Sequence, residues 1–316
     1  MKLAPGEIRT AVVGVGYLGR HHARIHASTP GVKLVAVVDT DPARAVAVAA
    51  EFGAQAETDW RRILGRVDAA SLAVPTVLHS EIGCALLASG IDLLIEKPIA
   101  ESLASADALI AEAAAGKRVL AVGHTERHNP AVEALRASVA APRFLEVHRL
   151  GVFSPRSTDI DVVLDLMIHD LDIILQLTGA EPRQVDAIGV AALTGRVDIA
   201  NARLTFPGSV VANVTASRIS AQKVRKLRVF ERHAYHSLDF ADQQVERYAL
   251  VERDGARSIE RGILPVVRDE PLKREIVEFM ECVRRRARPL VTGEDGRRAL
   301  ALAMQIAAAA QESSRA

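Results

Sequence analysis

An α/β fold is predicted for this chain: a parallel sheet covered on both faces, followed by an α+β domain built on a large, mostly antiparallel open sheet. Three observations carry that expectation. Over roughly the first 125 residues, short and almost wholly apolar runs alternate with helical runs, the pattern of a parallel sheet buried on both sides. The first apolar run ends in three glycines spaced G-x-G-x-x-G, and an acidic residue follows twenty positions after the last of them. From about residue 183 to 261 the pattern changes to short segments of alternating apolar and polar residues, punctuated by turn pairs such as Pro207-Gly208 and Asp254-Gly255.

Residues 8–15 read as the first strand and 20–28 as the helix it feeds. Between them, Gly14 permits the tight turn, Gly16 lets a pyrophosphate approach the backbone, and Gly19 lets the helix pack closely on the strand. Tyr17 and Leu18 complete that loop, and the helix N-terminus offers its N–H groups to the phosphates. The second strand, 33–39, ends in Asp39, where a Rossmann unit places the carboxylate that holds the adenosine ribose 2′-OH. That carboxylate favours NAD over NADP by repelling a 2′-phosphate, while Arg44 nearby leaves NADP open.

A helix over 42–52 starts on a proline, and a buried strand over 69–74 is closed by Pro75. Helix 79–89 is stopped by Gly90, strand 91–95 runs into Glu96-Lys97-Pro98, helix 104–115 is stopped by Gly116, and 119–122 is a last short strand. Ligands bind at the carboxyl ends of such strands. Residues 14–19, Asp39, 75–79, 96–98 and 123–129 all fall there, which makes Pro75, Thr76, His79, Glu96, Lys97, His124, Arg127 and Asn129 candidate site residues.

Past residue 125 a helix over 130–139, a strand over 144–153 and a strongly apolar helix over 161–177 are expected. Strands follow at 185–190, 202–206, 210–216, 226–230, 235–240 and 244–251, and helices over 270–286 and 295–313 close the chain. The domain expectation is therefore 1–125 for dinucleotide binding and 126–316 for substrate binding and oligomerisation, joined without a linker. An open sheet face calls for cover, so a homodimer or homotetramer is expected. The basic residues around 224–233 alternate as on a solvated strand, and Arg284, Arg285 and Arg286 suit a helix C-terminus.

Bulk properties narrow the function classes. Hydrophobic residues make up 49% and charged ones 25%, a globular composition, with aromatics only 3%. A formal net charge of +1 gives no reason to expect nucleic acid or an anionic membrane as partner. Cys84 and Cys282 lie far apart and form no metal or redox spacing, so buried thiols in a reducing compartment are expected. No metal site is expected. No uncharged stretch approaches the ~20 residues a membrane span needs, and Glu7 and Arg9 interrupt any signal-like core, so a cytoplasmic enzyme is the default.

Asp165 and His169 stand four apart in an apolar helical run, so on an α-helix they share a face. Together with the glycine fingerprint, Glu96-Lys97-Pro98 and the run from Gly123 to Pro130, and in this order along essentially the whole chain, they resemble the Gfo/Idh/MocA family of NAD(P)-dependent sugar and inositol oxidoreductases. The resemblance implies that Lys97 is a fixed cation near the nicotinamide and substrate, that His169 is the general base in oxidation, and that Asp165 binds a neighbouring hydroxyl or tunes the histidine. It places His79 and Glu96 on the cofactor side and His124, Arg127 and Asn129 in a strip touching substrate. Residues 162–175 and 122–132 resemble a subset acting on nucleotide sugars, the UDP-N-acetylglucosamine 3-dehydrogenases, with a departure at His128, where that subset commonly has an aromatic residue. An inositol or simple-sugar dehydrogenase and a non-catalytic NAD-binding sensor are the alternatives.

Overall fold

The computed structural model describes residues 7–153 and 160–315. The chain divides into two compact units: residues up to His124 with Leu272–Arg297, and Thr125–Pro271 with the residues from Arg298 on.

In the first unit, β1 (Ile8–Val13), α1 (Tyr17–Ser28), β2 (Val32–Val38), α2 (Pro42–Phe52), β3 (Gln55–Glu57), a 3-10 turn (Trp60–Ile63) and β4 (Ala69–Leu72) lead through α3 (His79–Ala88) to β5 (Asp92–Glu96), α4 (Leu103–Gly116) and β6 (Leu120–Gly123). All six strands are parallel, in the order β3-β2-β1-β4-β5-β6. The chain winds outward from β1 to β3 and then returns to β4 on the other side of β1. Their carboxyl ends therefore flank a crevice, the place where doubly wound sheets take ligands. Local chemistry sets the helices: Asp41 caps α2 by accepting from the N–H groups of Ala43 and Arg44, Pro42 fills the first turn, and Gly53 ends it in the left-handed region at φ 68°.

The second unit begins with a 3-10 turn (Thr125–His128), α5 (Pro130–Ser138) and β7 (Phe144–Leu150). A π-helical turn (Val163–Met167) runs directly into α6 (Ile168–Thr178). The remaining strands are β8 (Gln184–Val190), β9 (Ile199–Thr205), β10 (Val211–Ser217), β11 (Val224–Phe230), β12 (Ala234–Asp239), β13 (Gln244–Arg253) and β14 (Ala256–Ile263). They form an eight-stranded sheet in the order β14-β13-β12-β11-β7-β10-β9-β8, antiparallel except where β10 runs parallel to β7. Alternation sorts its faces. Leu145, Val147, Ala202, Leu204, Ala212, Val214, Leu227 and Val229 pack under α5 and α6 in one core. On the opposite face Phe144, Phe230, Tyr235 and Tyr248 stand directly across from one another on four neighbouring strands, ring centroids 4.8–5.6 Å apart.

Two helices close the chain, α7 (Pro271–Arg285) and α8 (Gly293–Arg315). The contiguous second domain expected over 126–316 is corrected here. Ile276, Phe279, Met280 and Val283 line one stripe of α7 and pack with Ile8, Ile25, Val32 and Leu94, so this helix completes the first unit's core. Strands β3 and β14 were not foreseen, and the helix expected over 161–177 is interrupted by the π turn. Cys282 is buried as expected but Cys84 only partly; both are free thiols. Among the described residues no helix is long and apolar enough to cross a membrane.

Candidate active site

The glycine turn is built as its spacing requires. Gly14 has φ +83°, and a Cβ there would fall 2.5 Å from the Ala73 carbonyl oxygen, so the turn leans on the chain just past β4. A Cβ at Gly19 would lie 1.8 Å from the carbonyl oxygen of Gly14, which locks α1 against the turn. At Gly16, by contrast, a Cβ would meet nothing within 4 Å. Gly16 is also the N-cap of α1, so no side chain caps the helix from that position, and no acidic residue stands in the first turn. That open, electropositive ground suits a pyrophosphate. Tyr17 (73% exposed) and Leu18 project outward beside it, and Tyr17 meets the His21 ring edge-on.

Asp39 lies at the carboxyl end of β2, nearly buried, with its position held by the Val15 N–H (3.0 Å) and the Asp41 N–H (3.0 Å). Arg44 also donates to both its oxygens, at 3.2 and 3.3 Å. A cavity of about 290 Å³ opens here, lined by Gly14, Gly16, Asp39, Arg44, Trp60 and Pro75 among others. Glycine turn, carboxylate and adjoining slot fit the pyrophosphate and adenosine of a dinucleotide. Thr76 opens the 3-10 turn that follows Pro75 and is partly buried.

Beside this crevice Lys97 is half-buried and follows directly on the last residue of β5. Glu96 is buried at the end of the same strand. Its carboxylate meets His22 Nε2 at 3.0 Å and accepts the Lys97 N–H at 3.2 Å, inside the fold. Burial opposes its ionisation, but the His22 hydrogen bond and the nearby charges of His22 and Lys97 hold it below the ordinary carboxylate range. One turn on, His26 Nε2 meets Ser71 Oγ at 2.9 Å, and burial pushes the His26 ring down to about 3. His79 is also internal. Its two ring nitrogens lie 3.0 Å from the carbonyl oxygens of Pro98 and Val74, bracing the Pro75 loop against the Glu96-Lys97-Pro98 turn, and burial lowers its pKa. Both side chains thus brace the loops at the carboxyl ends of β4 and β5.

In the second unit Asp165 and His169, both partly buried, bracket the junction of the π turn and α6. The Ile168 N–H reaches back to the Val163 carbonyl, so the turn carrying Asp165 is wider than an α-turn. The next residue after His169 is clamped: Arg149 of β7 donates bidentately to Asp170 at 2.7 and 2.8 Å and to Glu126 at 3.2 Å, all three largely buried. Although burial opposes the Arg149 charge, Asp170 and Glu126 raise its pKa above the ordinary value. Arg127 approaches Asp172 at 3.6 Å as a second buried pair.

The residues of the expected substrate strip are all buried. Asn129 is 1% exposed; its Oδ1 accepts the Ala131 N–H as the cap of α5, and its Nδ2 donates to the Phe240 carbonyl at 3.1 Å. Arg127 lies 3.6 Å from Asp172, and His124 is 1% exposed. All three are thus largely enclosed by the fold. Among the described residues, His22, Trp60 and Arg149 were missed. The four-residue spacing of His22 and His26 after Gly19, on the helix face that packs on the sheet, is the signal that could have found the first of them.

Comparison with known proteins agrees with this geometry. Residues 8–124 match the model of the Gfo/Idh/MocA oxidoreductase family, NAD-binding Rossmann fold, and residues 104–235 match a Gfo/Idh/MocA C-terminal domain. The UDP-N-acetylglucosamine 3-dehydrogenase of Acidithiobacillus ferrooxidans is 42% identical over 96% of this chain and 97% of its own. A solved structure of that enzyme superposes with a TM-score of 0.91, at 39% identity, covering 98% of this chain and 99% of the other. An inositol 2-dehydrogenase of Saccharopolyspora erythraea is 36% identical over 55% of each chain. A levoglucosan dehydrogenase in complex with NADH and levoglucosan, 17% identical with a TM-score of 0.86 over 98% of both chains, shares the fold. On its glycine turn, the carboxylate at the end of its second strand, its two-unit architecture and this full-length similarity, the chain belongs to the Gfo/Idh/MocA family of NAD-binding oxidoreductases.

Proposed function

We propose that the chain is an NAD-dependent dehydrogenase of a nucleotide sugar, oxidising a secondary ring hydroxyl, with the 3-hydroxyl of UDP-N-acetylglucosamine the favoured target. One observation carries the choice within the family. The similarity to the UDP-N-acetylglucosamine 3-dehydrogenase runs the length of both chains, whereas the matched inositol dehydrogenase aligns over little more than half. The second unit, which carries Asp165 and His169, is thus included in the first comparison.

In this reading Gly14, Gly16 and Gly19 seat the pyrophosphate and Asp39 the adenosine ribose. Lys97 orients the reacting hydroxyl and stabilises alkoxide-like charge on its oxygen. His169 removes the hydroxyl proton, and Asp165 holds a neighbouring hydroxyl or the imidazole. Bound NAD supplies the hydride acceptor. Retention of both Lys97 and His169 speaks against a silent cofactor-binding sensor, which needs neither a cation nor a base. We also infer a homo-oligomer that covers the aromatic row Phe144, Phe230, Tyr235 and Tyr248 on the open sheet face.

The test is NADH formation at 340 nm with UDP-N-acetylglucosamine, myo-inositol and glucose. Turnover confined to the UDP-sugar is expected, with Lys97→Ala losing about 10²–10³ in kcat. Faster turnover of myo-inositol, or NAD binding with no turnover on any sugar, rejects the reading.

A further inference from the structure

We propose that His22 and Glu96 form a buried anchor that positions Lys97 relative to the phosphate-binding turn, making His22 a positioning residue for the reaction. The proposal rests on the role of Lys97 given above.

The Glu96 carboxylate uses its two oxygens for different elements. Oε1 meets His22 Nε2 on α1 at 3.0 Å, and Oε2 accepts the Lys97 N–H at 3.2 Å. His22 is wholly buried and the Glu96 side chain nearly so. The pair ties the backbone of Lys97 to the helix whose first turn lies at Gly16. Phosphate cradle and lysine are thereby referenced to one rigid element, so a cofactor seated by its pyrophosphate meets Lys97 in a defined register.

A third residue completes the device. Gly123, at the end of β6, is paired with Glu96 in the sheet, and a Cβ there would lie 3.0 Å from the Glu96 carboxyl carbon and one of its oxygens. Its backbone is not in the left-handed region, so the absent side chain serves the space taken by the carboxylate. Stability alone explains the arrangement poorly, since a buried carboxylate pays a desolvation cost that its hydrogen bonds must first offset. The arrangement delivers a fixed backbone at the residue after Glu96.

The test joins amide exchange in the cofactor-free protein with steady-state kinetics for His22→Leu, His22→Gln, Gly123→Ala and Lys97→Ala. His22→Leu is expected to accelerate exchange at the Lys97 amide and to lower kcat by about 10²-fold, the scale of a catalytic group misplaced by an ångström, with the KM for NAD little changed. His22→Gln, whose amide can still donate to Oε1, recovers most of both. Gly123→Ala reproduces the exchange and kcat defects with His22 and Lys97 intact, and decides the matter if His22→Leu does not fold. Wild-type kcat and exchange in His22→Leu or Gly123→Ala overturns the anchor. So does exchange raised uniformly across the first unit, which assigns His22 to general stability. Lys97→Ala with undiminished turnover instead overturns the role of Lys97 and leaves the anchor to the exchange data.

Discussion

Acidification from pH 7 to pH 5 is expected to destabilise the first unit, and His26 accounts for a defined share of the loss. Its ring is fully buried, with Nε2 on Ser71 Oγ at 2.9 Å and, among the described residues, no hydrogen-bond partner at Nδ1. A proton there would place a charged N–H in apolar surroundings, and burial, with the neighbouring His22 charge, lowers the folded-state pKa to about 3. In the unfolded chain the ring titrates near its ordinary value of about 6.5. Below that pH the unfolded state binds the extra proton, so stability falls as pH falls and continues to fall until about pH 3. Integrated from pH 7 to 5, the linkage is about 2 kcal/mol, with a limiting slope of about 1.4 kcal/mol per pH unit. His79, also lowered by burial, adds its own share in this window. The assay is urea unfolding at pH 5, 6, 7 and 8, followed by the emission of Trp60, the sole tryptophan of the chain and a residue of the first unit. His26→Leu leaves the Ser71 hydroxyl buried without its partner, a cost of about 1–3 kcal/mol that does not depend on pH. The diagnostic is therefore the slope: wild type and variant converge on acidification as the His26 contribution is lost from the wild type alone. Equal pH slopes in the two proteins refute the argument.

Two further outcomes follow from the site geometry. Asp39→Ala removes a charged acceptor from the ribose and releases Arg44, so the KM for NAD should rise about 10–100-fold while NADP becomes a usable cofactor; an unchanged NAD to NADP preference takes Asp39 out of the ribose role. Arg149→Met strands the buried Asp170 carboxylate and should cost about 3–5 kcal/mol in thermal or urea unfolding of the second unit, most of it recovered when Asp170→Asn is added; a loss that this change does not touch shows that packing of the guanidinium over the Phe240 ring is what matters.

What was legible in the sequence was what local geometry determines. Gly14 and Gly19 declare a turn because each answers a steric demand made within a few residues of itself or by one neighbouring strand, whereas Gly16 leaves open the space a phosphate would take. Asp39 declares itself because the length of a strand-helix-strand unit sets its distance from that turn. The polar residues at the strand ends were legible as important but not as to their task. Asn129 looks the same whether it binds a sugar or caps a helix, although Pro130 beside it is the signature of a cap followed by a first helical turn. Glu96 and His79 sit where ligands sit, while their protein partners, His22 and the Val74 and Pro98 carbonyls, are brought to them only by the fold. Arg127 and Asp172 are forty-five positions apart, and no periodicity links them.

The same limit explains α7 and the π turn. The stripe Ile276, Phe279, Met280, Val283 states that one face must be buried, but not against which core, and the answer is the strands at the other end of the chain. The run from Asp161 to Leu177 is apolar on nearly every side, so a change of helical pitch within it leaves no mark on the pattern. That change nevertheless alters what the spacing of Asp165 and His169 means. Four residues apart on a uniform α-helix would stack them on one face, whereas a wider turn at Asp165 rotates it relative to His169. Asp165 and His169 thus need not serve the same atom. In the reading proposed above, that rotation lets the carboxylate take a hydroxyl next to the one the imidazole deprotonates.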